Sequence, residues 1–263
     1  MRNVLPRITI VTPSLNQAAF LERAIRSVLD QGYPHLEYLV FDGGSTDGSV
    51  EILRRYDDQI AYWESVPDRG QSHAVNKGIE RATGEIVGWI NSDDYYLPGA
   101  LAMAVSAFEE NAGADWLCGA CRYLNPDGSL ETVWRPRPPR GPRAAWAYDP
   151  WYVPQASSFW RRSTLEDIGG LREDFQYAMD VELGLRLALS GVLPLVVREE
   201  FAVRAHHEEA KSARPEMWRA ELGQLHADLK QSFSSTERLA GFLYRAMLRA
   251  RSSGAKLIGS ARP

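Results

Sequence analysis

The chain has 263 residues and a formal net charge of -4, and 44% of its residues are hydrophobic and 24% charged. These values are ordinary for a globular protein with a sizeable core, and the negative charge excludes a general attraction to nucleic acid. Residues 1–7 lack the apolar core of a signal peptide, and no run reaches the roughly 18 apolar residues of a membrane span. We therefore expect a cytoplasmic protein.

Strands and helices alternate through residues 1–114. Short apolar and β-branched runs predict strands at 7–12, 36–41, 60–64 and 85–90. Apolar residues at helical spacing predict helices at 17–30, 47–56 and 71–82, and Pro98 begins another helix. Strand–helix–strand repetition with short connections predicts a parallel sheet flanked by helices.

The pattern changes after about residue 115. Residues 117–134 read as two strands joined by a turn, and residues 135–150 as a loop rich in proline and arginine. Further elements are expected as a strand at 156–160, a helix at 179–189, a last strand at 193–197 and helices from about 215. We divide the chain into a domain at 1–214, with halves 1–114 and 115–214, and a helical C-terminal extension at 215–263.

Two cysteines, Cys118 and Cys121, have a C-x-x-C spacing. A zinc site needs two more ligands and no second pair exists, while the surrounding segment reads as extended and not as the start of a helix. Residues three apart in a strand point to opposite faces. We therefore expect both thiols to be reduced and structural.

The strand predicted at 85–90 ends at two adjacent carboxylates, Asp93 and Asp94. Adjacent anions repel each other, and neither gains from burial without a partner. A divalent cation is the simplest partner, because Mg2+ takes carboxylate oxygens and keeps sites open for phosphate oxygens. Carboxyl ends of strands are also where α/β sheets bind ligands. The sequence predicts a metal–diphosphate site here.

Three other strand–helix junctions are polar. The segment 12–17 could present helix N–H groups to an anion, or its serine and asparagine could simply cap the helix. Capping does not explain Asp42, which precedes two glycines and could accept hydrogen bonds from a base or ribose. Arg69 and Lys77 could contact phosphate or lie on a solvated helix face. All three junctions fall at the same edge of the predicted sheet.

Several spaced motifs cover roughly residues 5–212: Ile8–Asn16, Asp42–Asp47, Gly70–Gly78, Asn91–Pro98, Gln155–Arg161, Gly169–Leu171, Tyr177–Arg186 and Arg204–Ser212. Together they resemble the inverting family 2 glycosyltransferases. The resemblance implies the GT-A fold, an α/β architecture with a Rossmann-like, mostly parallel central sheet flanked by helices, here with a helical C-terminal tail.

The resemblance implies that residues 1–114 bind a nucleotide-diphospho-sugar, most often a UDP-sugar, and that 115–214 form the acceptor and catalytic half. The implied nucleotide-sugar-binding residues are Thr12, Pro13, Ser14, Asn16, Asp42, Arg69, Lys77, Ser92 and Asp93.

The resemblance also implies a divalent metal, Mn2+ or Mg2+. Asp93 matches the metal-binding aspartate of the family's D-x-D motif, and Asp94 lies beside it. Asn91 stands at the first acidic position of that motif, which leaves less negative charge for the metal. A late metal ligand matches His206 by its spacing from the preceding arginine, or His207 by its spacing to the following lysine.

Asp180 matches the family's general base, with Met179 where many relatives have glutamate. Such a carboxylate takes the proton of an acceptor hydroxyl while that oxygen attacks the anomeric carbon from the opposite face and inverts it. The alternative is that Asp180 caps its own helix.

We therefore expect an inverting glycosyltransferase that acts on a glycan or lipid-linked acceptor in cell-surface polysaccharide synthesis. The basic, amphipathic pattern after Glu237 fits either peripheral contact with the inner membrane face or a helix packed on the domain. Two other classes stay open. A sugar nucleotidyltransferase would have a glycine-rich, arginine-containing loop after its first strand, unlike Thr12–Asn16; a non-catalytic sugar-nucleotide module would not need Asp180.

Overall fold

A computed structural model describes residues 5–137, 153–207, 210, 211, 214–237, 239 and 240. Its strands are β1 Ile8–Ser14, β2 Leu36–Asp42, β3 Tyr62–Ser65, β4 Ile86–Trp89, β5 Tyr95–Tyr96, β6 Trp116–Leu124, β7 Leu130–Trp134, β8 Ser158–Arg161 and β9 Leu195–Ala205. Its helices are α1 Ala18–Leu29, α2 Ser49–Arg55, α3 Gln71–Arg81, α4 Ala100–Glu110, α5 Arg162–Asp167, α6 Met179–Ser190 and α7 Pro215–Ser232. A short 3-10 turn, Gln155–Ser157, precedes β8.

The described strands form one sheet in the order β3-β2-β1-β4-β8-β6-β9-β5, with β7 paired to β6. Strands β1 to β4 are mutually parallel where they pair, as the strand–helix repetition predicts. Strand β8 runs antiparallel to β4 and β6, whereas β6 and β9 are parallel. The predicted α/β fold is confirmed, and the antiparallel pairs of the second half make its sheet mixed.

Side-chain alternation along β1 divides the core between the two faces of the sheet. Ile8 and Ile10 pack into one apolar cluster with α1 and α4, whereas Val11 packs into the other with α3 and α6. Trp89 of β4 stacks on Trp160 of β8, with ring centroids 4.9 Å apart, and ties the halves of the sheet together. Both faces are therefore covered, and the carboxyl ends of the strands remain for a site.

The last strand is longer than the sequence predicts. We expect 193–197, but β9 runs from Leu195 to Ala205 because its charged middle has partners across the sheet. Glu200 pairs with Arg122 Nε at 2.7 Å and with Arg135 at 3.2 Å. The extension carries the chain toward the carboxyl end of β4.

Helix α7 packs against the body of the protein. Leu222 and Leu225 are buried in the same apolar cluster as α6, and Asp228 pairs with Arg172 at 3.1 Å. Among the described helices, none is both long and apolar enough to cross a membrane. The loop expected at 135–150 lies outside the described residues from 138 onward, and so does most of the basic tail after Glu237.

The two cysteines are free thiols buried in β6. Burial raises the pKa of both, for Cys121 to about 12. Such thiols are protonated and unreactive at neutral pH, as expected for structural cysteines.

Candidate active site

A cleft of about 480 Å³ opens at the carboxyl ends of β1 and β4. This main cleft is lined by residues that follow β1, precede α3, follow β4 and continue β9, among them Pro13, Ser14, Asp68, Gly70, Ser92, Asp93 and Ala210, whereas Asp42 lies outside its lining. A smaller inner cavity adjoins it and is lined by Asp180, Cys121, Tyr123 and Gln155. The two spaces share Gln71, Asn91, Asp94, Tyr177, Arg204 and Lys211, so they are continuous parts of one site.

The end of β1 forms one wall of the main cleft. Thr12 is fully buried behind this wall, and its hydroxyl hydrogen-bonds Tyr38 Oη at 2.9 Å. Ser14 is almost buried, and its Oγ has no hydrogen-bond partner among the described residues. Asn16 adopts a left-handed conformation with φ 52° and accepts a hydrogen bond from Thr46 N at 2.9 Å. Of these residues, only Ser14 lines the cleft, and its buried hydroxyl is unpartnered within the described part of the chain.

Asp42 is fully buried and organises the loop after β2. Its carboxylate accepts hydrogen bonds from Ser45 N at 2.8 Å, Ser45 Oγ at 2.5 Å and Ser65 Oγ at 2.6 Å, and a longer one from Gly44 N at 3.2 Å. The sequence alone indicates no structural role for Asp42. The structure shows one, because its carboxylate binds the backbone and hydroxyl groups of the loop that follows β2.

Arg69 and Lys77 lie apart from the lining of the main cleft. Arg69 makes a bidentate ion pair with Glu173, in which Nε donates to Oε2 at 2.8 Å and Nη2 donates to Oε1 at 3.0 Å. Lys77 pairs with Glu64 of β3. Each cation has a carboxylate partner, so contact with a phosphate would require either pair to open.

Asn91 joins a chain of amides across the floor of the site. Its Oδ1 accepts a hydrogen bond from Gln71 Nε2 at 2.7 Å, and its Nδ2 donates to Asp94 Oδ2 at 3.2 Å and to Gln155 Oε1 at 3.2 Å. Gln155 in turn donates to Trp89 O at 2.6 Å. In this position Asn91 orients Asp94.

The two adjacent aspartates occupy different environments. Asp94 is only 2% exposed, and its burial, together with the neighbouring charge of Asp93, raises its pKa well above the usual range. Asp93 Oδ2 lies 3.0 Å from His207 Nε2 at the wall of the main cleft. Asp93 is therefore the carboxylate better placed to meet a cation in the main cleft.

The two candidate histidines diverge because consecutive residues of an extended chain point to opposite sides. His207 packs on the ring of Phe20, with centroids 4.4 Å apart, and contacts Asp93. His206 instead lies 3.3 Å from Glu131 of β7. The structure thus brings His207, and not His206, to the aspartates.

Asp180 is the second residue of α6, whose N-cap is Ala178. Its Oδ1 accepts a hydrogen bond from Val181 N at 2.9 Å. It lines the inner cavity together with Asp94. Burial raises the pKa of Asp180, although the positive charge of Arg204 opposes that shift. A carboxylate with a raised pKa in a cavity is a candidate general base.

Sequence reasoning assigned no role to several residues that line the site: Gln71, Gln155, Tyr177, Arg204 and Lys211. All five lie within the motifs that carry the family resemblance. Sequence alone does not indicate that these side chains share a site, because the strands and loops that bear them are far apart in sequence and meet only in the folded chain.

The profile of the family described as glycosyl transferase family 2 matches residues 9–169. An uncharacterized glycosyltransferase of Mycobacterium tuberculosis is 34% identical over 192 residues, which cover 70% of this chain and 70% of that protein. The Campylobacter jejuni GalNAc(5)-diNAcBac-PP-undecaprenol beta-1,3-glucosyltransferase is 31% identical over 130 residues, which cover 48% of this chain and 41% of that enzyme.

Two solved structures share the fold. TarS 1-349 from S. aureus in complex with UDP-GlcNAc has a TM-score of 0.61 and 18% identity, and the match covers 79% of this chain and 60% of that one. The mannosyltransferase PcManGT from Pyrobaculum calidifontis, in complex with GDP-Man and Mn2+, has a TM-score of 0.64 and 21% identity over 98% of this chain and 81% of that one. The predicted GT-A fold and glycosyltransferase class are confirmed: the chain belongs to glycosyl transferase family 2.

Proposed function

We propose that this glycosyltransferase moves a sugar from a nucleotide-diphospho-sugar to an acceptor hydroxyl with inversion at the anomeric carbon, and that Asp180 is its general base. The observation that carries the proposal is the continuity of the site. Asp180 and Asp94 face the same inner cavity, and Asp94 also lines the main cleft beside Asp93. A donor in the main cleft would therefore present its reacting sugar toward Asp180.

The main cleft suits the nucleotide and diphosphate of the donor. Pro13 and Ser14 supply an apolar wall and an unpartnered hydroxyl, and Lys211 supplies a positive charge for phosphate. A UDP-sugar is the donor class we favour, in line with the family resemblance and with the UDP-GlcNAc that TarS binds.

A divalent cation fits the donor set of this cleft. Asp93 offers a carboxylate and His207 an imidazole nitrogen, 3.0 Å apart, which suits Mn2+ or Mg2+ with some affinity for nitrogen. Within the described residues no group of three or more acidic, histidine or cysteine side chains is arranged around one point, so the diphosphate would complete the coordination. When bound, the cation would stabilise the negative charge that develops on the departing diphosphate.

The chemistry of the inner cavity centres on Asp180. Its carboxylate takes the proton of the acceptor hydroxyl as the acceptor oxygen forms a bond to the anomeric carbon and the bond to the diphosphate breaks. Asp94 accepts a hydrogen bond from Asn91 and lines both the main cleft and the inner cavity. Arg204 lines both spaces, and its positive charge opposes the desolvation that raises the pKa of Asp94 and of Asp180.

For the acceptor we infer a growing glycan or a lipid-linked precursor, and for the location the cytoplasmic side of the membrane. The support is the relative from C. jejuni, whose name specifies an undecaprenol-linked acceptor. Contact with the membrane would fall to the basic tail after Glu237.

Replacement of Asp180 tests the proposal directly. Asp180→Asn keeps the size of the side chain but removes its basicity, so we expect transfer to fall by about 10²- to 10⁴-fold. Donor binding should persist, because Asp180 lies outside the lining of the main cleft. Thermal stabilisation of the wild-type protein by a panel of UDP-, GDP- and dTDP-sugars with Mn2+ identifies the donor, and radiolabelled transfer measures turnover.

Exposed Asp167 provides a matched control, since Asp167→Asn makes the same chemical change away from the site. Equal turnover by Asp180→Asn and wild type would remove Asp180 from the mechanism. A retained anomeric configuration in the product would contradict single displacement.

A further inference from the structure

Helix α7 reaches the loop that leads into the catalytic helix. Glu221, in the middle of α7, accepts hydrogen bonds from three consecutive backbone amides: Gln176 N at 2.9 Å, Tyr177 N at 2.8 Å and Ala178 N at 2.8 Å. Both carboxylate oxygens take part. Ala178 is the N-cap of α6 and has no cap from its own segment. A glutamate from a distant helix therefore supplies the cap.

This contact is placed to fix Asp180. The free amides at a helix N-terminus need acceptors, and a carboxylate there also interacts favourably with the helix dipole. Asp180 follows Ala178 by two residues, in the first turn of α6. Glu221 thus holds the entry of the helix, and Asp180, whose Oδ1 accepts a hydrogen bond from the adjacent Val181 N, lines the inner cavity.

The same loop supplies other parts of the site. Tyr177 lines both the main cleft and the inner cavity, and Gln176 lines the main cleft. Gln176 O also accepts a hydrogen bond from Lys211 Nζ at 2.8 Å. Movement of these amides would displace the tyrosine, the lysine and the aspartate together.

We propose that Glu221 is a positioning residue for the transfer reaction, acting through the amides of 176–178 to hold Asp180 in its productive orientation. The inference rests on the proposed function of Asp180. It gives Glu221, one residue of α7, a part in catalysis, although the sequence places residues 215–263 in a separate extension.

Charge provides a second signature. Glu221 of α7 adds a negative field at Asp180, which raises the pKa of that carboxyl, whereas Arg204 of β9 lowers it. Lys211 lines the inner cavity with Asp180. Burial lowers the pKa of this lysine, and the negative charges of Glu221 and Asp180 oppose that shift. Loss of the Glu221 charge should therefore shift the acid limb of the kcat–pH profile to lower pH.

The test compares Glu221→Gln with Asp228→Asn in the full chain. Asp228 lies on the same helix and pairs with Arg172, so its replacement weakens docking of α7 without touching the amides of 176–178. For Glu221→Gln we expect kcat lower by on the order of 10- to 100-fold, with little change in the donor KM, because a small misplacement of a catalytic group is costly. Hydrogen–deuterium exchange of the peptide that contains 176–178 should become faster.

Asp228→Asn should keep kcat, the pH profile and the exchange of that peptide at wild-type values. The positioning role would be overturned if Glu221→Gln exchanged faster at 176–178 but kept the wild-type kcat. It would also be overturned if exchange at 176–178 did not change, or if Glu221→Gln and Asp228→Asn lost kcat equally. A Glu221→Gln protein with a lower melting temperature but a wild-type pH profile would reduce Glu221 to a stabilising contact. A wild-type chain that transfers no sugar would instead overturn the proposed function.

Discussion

Asp180 carries a cost for stability that its proposed role explains. Burial raises its pKa above the ordinary value of 3.8, so the folded state binds a proton more tightly than the unfolded chain. The stabilisation that comes from this tighter proton binding is fully present below pH 3.8. It is lost as the pH rises through the raised pKa of Asp180. At neutral pH the ionised carboxylate therefore destabilises the fold.

We predict that Asp180→Asn raises the melting temperature at pH 7 while it strongly lowers transfer, since the amide removes a desolvated charge. The advantage should shrink as pH falls toward 4, where the wild-type carboxyl becomes protonated. Differential scanning fluorimetry across this range measures both trends. Asp167→Asn, at an exposed position, should show neither, and a melting temperature below wild type at pH 7 would contradict the prediction.

The adjacent histidines offer a matched pair for testing the proposed metal site. His207 lies 3.0 Å from Asp93, whereas His206 lies 3.3 Å from Glu131. We predict that His207→Ala and Asp93→Ala both lose the part of donor affinity that depends on Mn2+, because each removes one of two protein ligands. His206→Ala should retain it.

Isothermal titration calorimetry with a donor, with Mn2+ and with EDTA, separates these variants. In EDTA, wild type, His207→Ala and Asp93→Ala should bind the donor equally weakly. Metal-dependent affinity lost in His206→Ala but kept in His207→Ala would reverse the assignment of the two histidines.

At the scale of elements, the loop before α3 and the loop before α6 form one contact. Gly70, with φ +110°, lies so close to Gln176 that a Cβ atom would sit 2.3 Å from its Oε1. Arg69 and Glu173 pair beside this contact. The loops before α3 and α6 are thus held together at a position whose backbone conformation favours glycine.

We predict that Gly70→Ala lowers the free energy of unfolding by about 1–3 kcal/mol, because an L residue rarely adopts φ +110° and the end of the Gln176 side chain must also move aside. Donor affinity should fall as well, because Gly70 lines the main cleft. Urea unfolding monitored by circular dichroism gives the first value. Gly113→Ala is the control, because a Cβ there meets no atom within 4 Å; equal stabilities of the two variants would disprove the steric argument.

At the scale of the whole molecule, the sequence predicts the first half, in which β1 to β4 occupy one side of the sheet in the order β3-β2-β1-β4. Apolar runs and helical spacing specify β1 to β4 with their helices, because there each segment's own pattern matches its burial. The second half follows pairings that no local pattern contains. Two-residue β5 is fixed by β9, and the polar centre of β9 by Arg122.

The site divides in the same way. Motif positions identify Asp93, Asp94 and Asp180, which line the two connected cavities. Spacing alone leaves His206 and His207 equivalent, since their difference depends on the direction in which β9 ends. Glu221 has no motif, because its function depends on the docking of α7 against a loop 43 to 45 residues earlier. Long-range contacts of this kind require the folded chain.

Those contacts imply that α7 and the catalytic half unfold as one cooperative unit. Leu225 is 2% exposed within the cluster that also contains Trp116 and Trp160. We predict that Leu225→Ala lowers the free energy of unfolding by about 2–5 kcal/mol, the usual cost of a large cavity in a core. Tryptophan fluorescence and far-UV circular dichroism should report a single shared urea transition in wild type and variant, as expected for two-state unfolding. Leu239→Ala, at a side chain 57% exposed, should leave that transition in place. Two separate transitions, of which Leu225→Ala shifts only the one with the smaller amplitude, would instead show that α7 unfolds independently of the rest of the protein. Glu221 could not then hold the start of α6 in place.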